Sequence, residues 1–198
     1  VKEGGHTSRR ILHAKDATGA EIERALNAAV SRSKNITRRP HTLGVDLIQR
    51  EHRDPKSGIK GIWCLCLDSG KMEAIPSDAV LIATGGCGQL WERTTNPSVA
   101  TGDGLAMALR AGASSKDMAF FQFHPTSLMA ENKRPFLITE ALRGEGGILL
   151  DDIGLDSYRK SKSTPEGFSL TLEFSSNGSL ATRDVVARAC DQRLKVTG

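Results

Sequence analysis

Aromatic residues are scarce in this chain, with six Phe, two Trp and one Tyr among 198 positions, and no apolar run is long enough to cross a bilayer. Cysteine is scarce as well. Cys64 and Cys66 form a CxC pair, Cys87 lies in a glycine-rich turn and Cys190 on an expected helix, a spacing that fits neither a zinc site nor a disulfide framework. All four are expected to be small buried thiols in a reducing compartment. There is no P-loop, no Ser-His-Asp arrangement and no internal repeat. Charge of one sign is not in excess: the formal net charge is +4, with basic residues scattered among acidic ones. That balance argues against nucleic acid and for small anionic ligands, such as a dicarboxylate substrate or a phosphate-bearing cofactor. Val1 to Gly5 resemble neither a signal peptide nor a transit peptide, and the first residue is not Met, so an interior piece of a longer protein is expected.

The periodicities that are present give a mixed set of elements. Thr18 and Glu21 form a capping-box pattern, after which Ile22, Leu26, Ala29 and Val30 recur at helical spacing, predicting an amphipathic helix from about Thr18 to Ser33. Strands are predicted over Leu43 to Ile48 and Gly61 to Leu67, with a turn at Asp68-Ser69-Gly70-Lys71, as in an antiparallel hairpin or meander. Ala79 to Ala83 is a continuous apolar run ending at Thr84-Gly85-Gly86, the pattern of a strand buried on both faces of a parallel sheet with a ligand at its carboxyl end. A helix is predicted from Leu105 to Ala111, stopped by Gly112, and a last one follows Thr182 as N-cap. Between them, Phe168, Leu170, Leu172 and Phe174 alternate as one half-buried strand would. Composition shifts near Asp117, where a domain boundary is placed.

Chemistry-bearing residues concentrate in two stretches. In the first, Ala83-Thr84-Gly85-Gly86 lets backbone approach a nucleotide closely, and Asp103 at a helix N-terminus either caps that helix or accepts from a cofactor hydroxyl. In the second, Phe120-Phe121-Gln122-Phe123-His124-Pro125-Thr126 is followed by Leu137 to Gly147, which sets His124, Thr139, Glu140 and Arg143 in apolar and glycine-rich surroundings. Fixed dipoles act most strongly there, as in a catalytic pocket. Pro125 stiffens His124 as a substrate-orienting imidazole requires. Arg143 has Glu140 or Glu145 as a partner, and the neighbouring His-Pro-Thr weighs against a purely structural ion-pair network. Arg183 falls in the first turn of a helix, where the dipole disfavours a cation, so a facing dicarboxylate is the motive sought for it.

Taken together, several stretches resemble the succinate dehydrogenase and fumarate reductase flavoprotein family. They are Glu3-Gly4-Gly5-His6, Arg9 to Ala14 with Asp16-Ala17-Thr18-Gly19, Ala83 to Gly86, Thr94 to Pro97 with Ala100 to Gly104, Gln122 to Thr126, Leu137 to Gly147, and Arg183 to Ala189. Within the family the match is most like the branch that oxidises L-aspartate, and it spans nearly the whole chain except residues 151 to 180. The resemblance implies an α/β (α+β) fold: part of a FAD-binding domain of the glutathione-reductase type over residues 1 to 117, and part of a fumarate-reductase-type capping domain over 118 to 198. It implies that Gly44, Val45 and Asp103 contact FAD, with Ala83, Thr84, Gly85 and Gly86 lining its site. His124, Thr139 and Glu140 would hold the substrate carboxylates, Arg183 would be the proton-transferring catalytic arginine, and Glu3 would face the substrate amino group.

The implied reaction is oxidation of L-aspartate to iminosuccinate by hydride transfer to FAD, with oxygen or fumarate as reoxidant, in de novo NAD biosynthesis. Iminosuccinate would pass to quinolinate synthase in the cytoplasm. Two other readings stand beside it: a succinate dehydrogenase or fumarate reductase flavoprotein subunit, against which Glu3 to Arg10 argues, and a non-catalytic remnant of such an enzyme. Ala119 stands where the family has Glu, and Asp151 to Leu180 replaces a shorter Gly-x-Arg-Phe-Met stretch. The Gly-x-Gly-x-x-Gly turn that cradles the FAD pyrophosphate is not in this stretch of sequence.

Overall fold

The computed structural model describes residues 3–14, 17–129 and 134–197. Lys15, Asp16 and residues 130–133 lie outside the described residues, as do Val1, Lys2 and Gly198. The chain divides into two compact units, one of residues 29–120 and one of residues 1–28 with 121–198.

The unit of residues 29–120 is built on an antiparallel meander of β1 (Thr42–Gln49), β2 (Ile59–Cys66) and β3 (Lys71–Pro76), with β2 in the centre. The loop joining β1 to β2 closes through the Arg50 N–H on the Gly58 carbonyl. Gly44 faces Cys64 and Asp46 faces Trp63, so Val45 is the extra residue of a β-bulge. A bulged residue is left out of the ladder and turns its peptide aside. Helix α2 (Asp103–Arg110) packs on β1, with Met107 almost fully buried. Gly112 follows it at φ +91°, the left-handed residue that ends a helix. Gly104 has no room for a side chain, since a Cβ there would lie 2.1 Å from Thr84 Oγ1. This close approach seats the N-terminal turn of α2 on residues 82–84.

The apolar run Ala79 to Ala83 is not the buried parallel strand that its composition predicts. It belongs to neither of the sheets among the described residues, and Leu81 is 90% exposed. A parallel strand needs a hydrogen-bonded neighbour and cover on both faces. None of the described strands supplies the first.

In the other unit, β4 (Ser127–Leu128) pairs with β5 (Phe136–Leu137), leading into α3 (Ala141–Gly144), α4 (Asp152–Lys160) and α5 (Arg183–Thr197). Ala181, Val186 and Ala189 are its buried apolar residues among those described. Around them the core is hydroxyl-rich. Ser169 Oγ lies 2.9 Å from both Thr171 Oγ1 and Ser179 Oγ, and Ser179 Oγ accepts from the Leu149 N–H. Residues 169–175 form successive turns closed by Leu172, Phe174 and Ser175 N–H groups, not the predicted strand. The alternation runs with inverted sense: Ser169 and Thr171 are inside, whereas Leu172 and Phe174 are 42% and 36% exposed. Three mutually satisfied hydroxyls make that inversion tolerable, because each buried oxygen has a partner.

Helix α1 (Thr18–Arg32) has the predicted limits. The capping box does not form: Thr18 Oγ1 accepts from the Ala14 N–H, and Glu21 pairs with Arg24 instead. Ile22 and Leu26 are more than half exposed. Of the cysteines only Cys64 is buried, while Cys66, Cys87 and Cys190 are partly exposed, so the expectation of four buried thiols is corrected. All four are free. The Ser69 hydroxyl lowers the Cys66 thiol and burial raises that of Cys190.

Helix α4, unforeseen in a segment rich in Ser, Lys and Gly, starts because Asp151 caps it by accepting from the Gly154 N–H at 2.7 Å. The same carboxylate binds Arg193 of α5. The Gly154 N–H, and then Arg193, hold the Asp151 carboxyl below its ordinary value. Stability from this group is therefore complete above its unfolded pKa of about 3.9 and is lost as pH falls through the lower folded value. We predict that Asp151→Ala costs about 1 kcal/mol or more in urea unfolding. Asp151→Asn, which keeps the cap, costs less, and its difference from wild type shrinks below about pH 4. Equal losses for the two variants at neutral pH would contradict this.

Candidate active site

The unit that carries α5 brings four charged side chains into one chain of contacts. Arg183 is the first residue of α5, and its Nε lies 3.0 Å from Glu140 Oε1. Glu140, immediately before α3, also accepts from Arg143 Nη2 at 2.8 Å. Glu140 and Arg143 are each only 4% exposed. Arg143 Nη1 donates to the Ser179 and Ala181 carbonyls at 2.8 and 3.4 Å, and its Nε is buried without a partner. A carboxylate in such surroundings is held by opposite charge on two sides. Glu145, the other candidate partner for Arg143, pairs instead with Arg9 at the surface.

Glu3 completes the group, with Oε2 3.9 Å from Arg183 Nη2. The glycines after it explain how it gets there. A Cβ on Gly4 would lie 2.7 Å from the Ala181 carbonyl oxygen, and the Gly5 N–H donates to the Leu180 carbonyl. The N-terminal segment therefore lies directly against the residues that also hold Arg143. Arg183 differs from its partners in exposure: 42% of its side chain is accessible. Its placement against the helix dipole is balanced by Glu140 and Glu3, with Asp184 beside it in the same turn. One edge of the guanidinium is fixed on a buried carboxylate, and the remainder faces outward.

His124 and Thr139 approach this group through the backbone. His124 Nδ1 lies 2.8 Å from the Thr126 carbonyl oxygen. Thr126 Oγ1 donates to the Ile138 carbonyl and the Ile138 N–H donates back to Thr126. The His-Pro-Thr turn is thus tied one residue before Thr139 and two before Glu140. The Thr139 hydroxyl oxygen accepts from the Ala141 N–H at 3.3 Å, which leaves its own proton to donate. Among the described residues neither His124 nor Thr139 joins the ion pairs themselves. The ion-pair network that the sequence made less favoured is therefore present, and Glu140 is at its centre.

The expected cofactor residues lie along α2 in the other unit, with Thr84 and Asp103 at its first turn and Gly44 and Val45 against Met107 and Arg110. Ala83, Thr84, Gly85 and Gly86 are all exposed, Gly85 takes φ +77°, and a Cβ on Gly85 or Gly86 would meet nothing within 4 Å. Thr84 is brought to α2 by Gly104, as described. Asp103 opens the helix with an exposed carboxylate, while the N-cap is Gly102 at φ +82° with no side-chain cap bond. Of the two readings of Asp103, capping is not realised. Gly44 packs under Met107, and the Val45 bulge stands exposed beside it with its carbonyl accepting from Arg110 Nη2 at 3.0 Å. Free backbone, a free carboxylate at a helix start and a bulged peptide form a donor and acceptor set suited to the phosphates and hydroxyls of a dinucleotide.

Sequence reasoning missed the depth of Arg143 and its carbonyl partners. The signal was the i, i+3 spacing of Glu140 and Arg143 beside two glycines. It also missed why Gly4 is needed.

The family model described as FAD binding domain matches residues 2–197. The chain is 41% identical to "L-aspartate oxidase" of Yersinia pestis, over 100% of this chain and 35% of that protein. It is 42% identical to "L-aspartate oxidase 2-b, chloroplastic" of Nicotiana tabacum, over 100% of this chain and 30% of that protein. Among solved structures, an E. coli quinol fumarate reductase variant superposes with TM-score 0.80 at 29% identity, covering 98% of this chain and 32% of the other. The chain spans about a third of the length of these relatives.

Removing one partner of a buried ion pair costs about 3–5 kcal/mol, because the other charge is left uncompensated. Arg143→Leu is therefore expected to lower unfolding stability by about that amount, and Arg9→Ala to leave the denaturation midpoint unchanged. Comparable losses for the two would show that the Glu140–Arg143 contact is not structurally central.

Proposed function

This chain belongs to the FAD binding domain family, and from that premise we propose that it is part of a flavoprotein that oxidises L-aspartate to iminosuccinate. The observation that carries the reading is the half-exposed Arg183 guanidinium fixed by buried Glu140 and flanked by Glu3. Such an arrangement offers one cation and one carboxylate outward, which matches a substrate bearing both a carboxylate and an amino group.

In this reading FAD is held by Asp103, by the backbone of Gly44 and Val45, and by Ala83 to Gly86, and it supplies the acceptor for the hydride leaving C2. The proposal divides the chain at 117/118 into parts of a FAD-binding domain and a capping domain. His124 and Thr139 donate to the substrate carboxylates. Glu140, expected to touch those carboxylates itself, serves them in this proposal by holding Arg183 in place. Arg183 is the group that exchanges a proton with the substrate, and Glu3 receives the amino group. Loss of the C2 hydride and of an N–H proton leaves the C=N bond of iminosuccinate. Orientation and charge compensation are the protein's contributions.

Reoxidation by oxygen or fumarate, consumption of the product by quinolinate synthase in NAD biosynthesis, and a cytoplasmic setting complete the proposal. Free thiols support the last. Among the described residues no helix is long and apolar enough to cross a membrane.

The second reading, a fumarate reductase or succinate dehydrogenase flavoprotein, has the structural superposition in its favour. Glu3 separates the two. In the full-length flavoprotein, anaerobic mixing with L-aspartate is expected to bleach the flavin, whereas succinate is not. Arg183→Gln is predicted to slow this about a hundredfold to a thousandfold while flavin content is kept. Glu3→Gln raises KM for L-aspartate, and Asp103→Ala lowers flavin occupancy. Bleaching by succinate alone would overturn the proposal in favour of the second reading.

A further inference from the structure

Apart from the expected flavin residues, the unit of residues 29–120 contains a cleft of about 420 Å³. Its walls are the carboxyl end of β1, the loop that follows, part of β2 and the last turn of α2. The volume is that of a small-molecule site. Its lining is unusual in charge. Arg50, Arg53 and Lys60 face it together with His52, and among the described residues none of the three cations has a carboxylate partner.

Two nearby acids are engaged elsewhere, whereas Glu51 in the same loop forms no ion pair among the described residues. Asp46, the lining carboxylate, accepts from Arg110 Nε and from the Leu47 N–H. Asp54 in the same loop is turned to cap a short helical turn, accepting from the Lys56 N–H at 2.9 Å. All three cations are solvent-exposed, and Lys60 Nζ donates to the Arg50 carbonyl at 3.3 Å, so their mutual repulsion in the empty protein is modest and an anion between them would relieve it. The backbone adds a second sign. Arg53 takes φ +60°, a left-handed conformation that a long side chain rarely adopts, and its N–H is held by Gln49 Oε1 at 3.1 Å.

The cleft also has an aromatic wall. Trp63 on β2 lines it and leaves 42% of its surface accessible, in a chain that has only two tryptophans. Three cations beside an open indole match a ring joined to phosphates: the guanidinium groups grip phosphate oxygens and the ring stacks.

We propose that this cleft is a separate binding site for a nucleoside diphosphate, with its phosphates on Arg50, Arg53 and Lys60 and its base against Trp63. The proposal stands on the cleft alone and is independent of the substrate assigned above.

Calorimetric titration of the full-length protein with ADP, carried out with FAD in excess, tests it. Saturable binding is expected, weakening about tenfold in the exposed-residue double variant Arg53→Gln with Lys60→Gln, as loss of charge-assisted contacts requires. Trp63→Leu is expected to weaken ADP binding and to leave inorganic pyrophosphate binding unchanged. Absence of saturable heat, equal affinity in the double variant, or equal effects of Trp63→Leu on ADP and pyrophosphate would overturn the proposal. Loss of bound FAD in the double variant would do so too, by assigning the cleft to the flavin site.

Discussion

A carboxylate with almost no access to water cannot stay charged without close compensation, and Glu140 has it on two sides, from Arg143 and from Arg183. Much of that unit follows from this constraint. Arg143 must be buried to reach Glu140, so its remaining N–H groups need acceptors, and the Ser179 and Ala181 carbonyls supply two. Those carbonyls are in place because residues 178–181 turn tightly beneath the start of α5. Gly4 lies against the same turn, which brings Glu3 within reach of Arg183. The buried Glu140–Arg143 ion pair and the partly exposed Arg183 guanidinium are therefore parts of one network. The buried half gives rigidity and the exposed half is free to meet a ligand, a division that suits preorganised catalysis.

The unit of residues 29–120 solves a different problem, how to leave backbone unpaired without unravelling. The bulge at Val45 meets α2 at Arg110, and Thr84 meets its first turn, where Gly104 leaves no room for a side chain. Buried Met107 and Cys64 secure the helix and sheet beneath. The turn at Thr84 to Gly86 thereby stays exposed beside the first turn of α2, while the Val45 carbonyl is taken by Arg110 at its last.

Legibility in the sequence followed how local the determining interaction is. The limits of α1, the two longer strands and the stop at Gly112 were readable because periodicity and glycine chemistry act within a few residues. Arg183 was readable as an anomaly, a cation where the helix dipole resists it, and its partner Glu140 resolves that anomaly. Ala79 to Ala83 was misread because a parallel strand is defined by neighbours distant in the chain, and the described residues provide none. Phe168 to Phe174 was misread because its alternation is genuine but its phase is set by Ser169, Thr171 and Ser179 satisfying one another. Helix α4 was missed because the Asp151 cap outweighs a polar composition, and the depth of Arg143 because the i, i+3 spacing to Glu140 is the only local sign of it, its carbonyl acceptors lying more than thirty residues away.

The central claim is that Glu140 acts on the substrate by holding Arg183. A double-mutant cycle with Glu140→Gln and Arg183→Gln, read as the rate of flavin reduction by L-aspartate in the full-length protein, addresses it directly. The account predicts strong coupling, on the order of 1–3 kcal/mol, with Glu140→Gln having little further effect once Arg183 is gone. Additive effects of the two substitutions would contradict it, because they would mean that the buried carboxylate and the exposed guanidinium act separately.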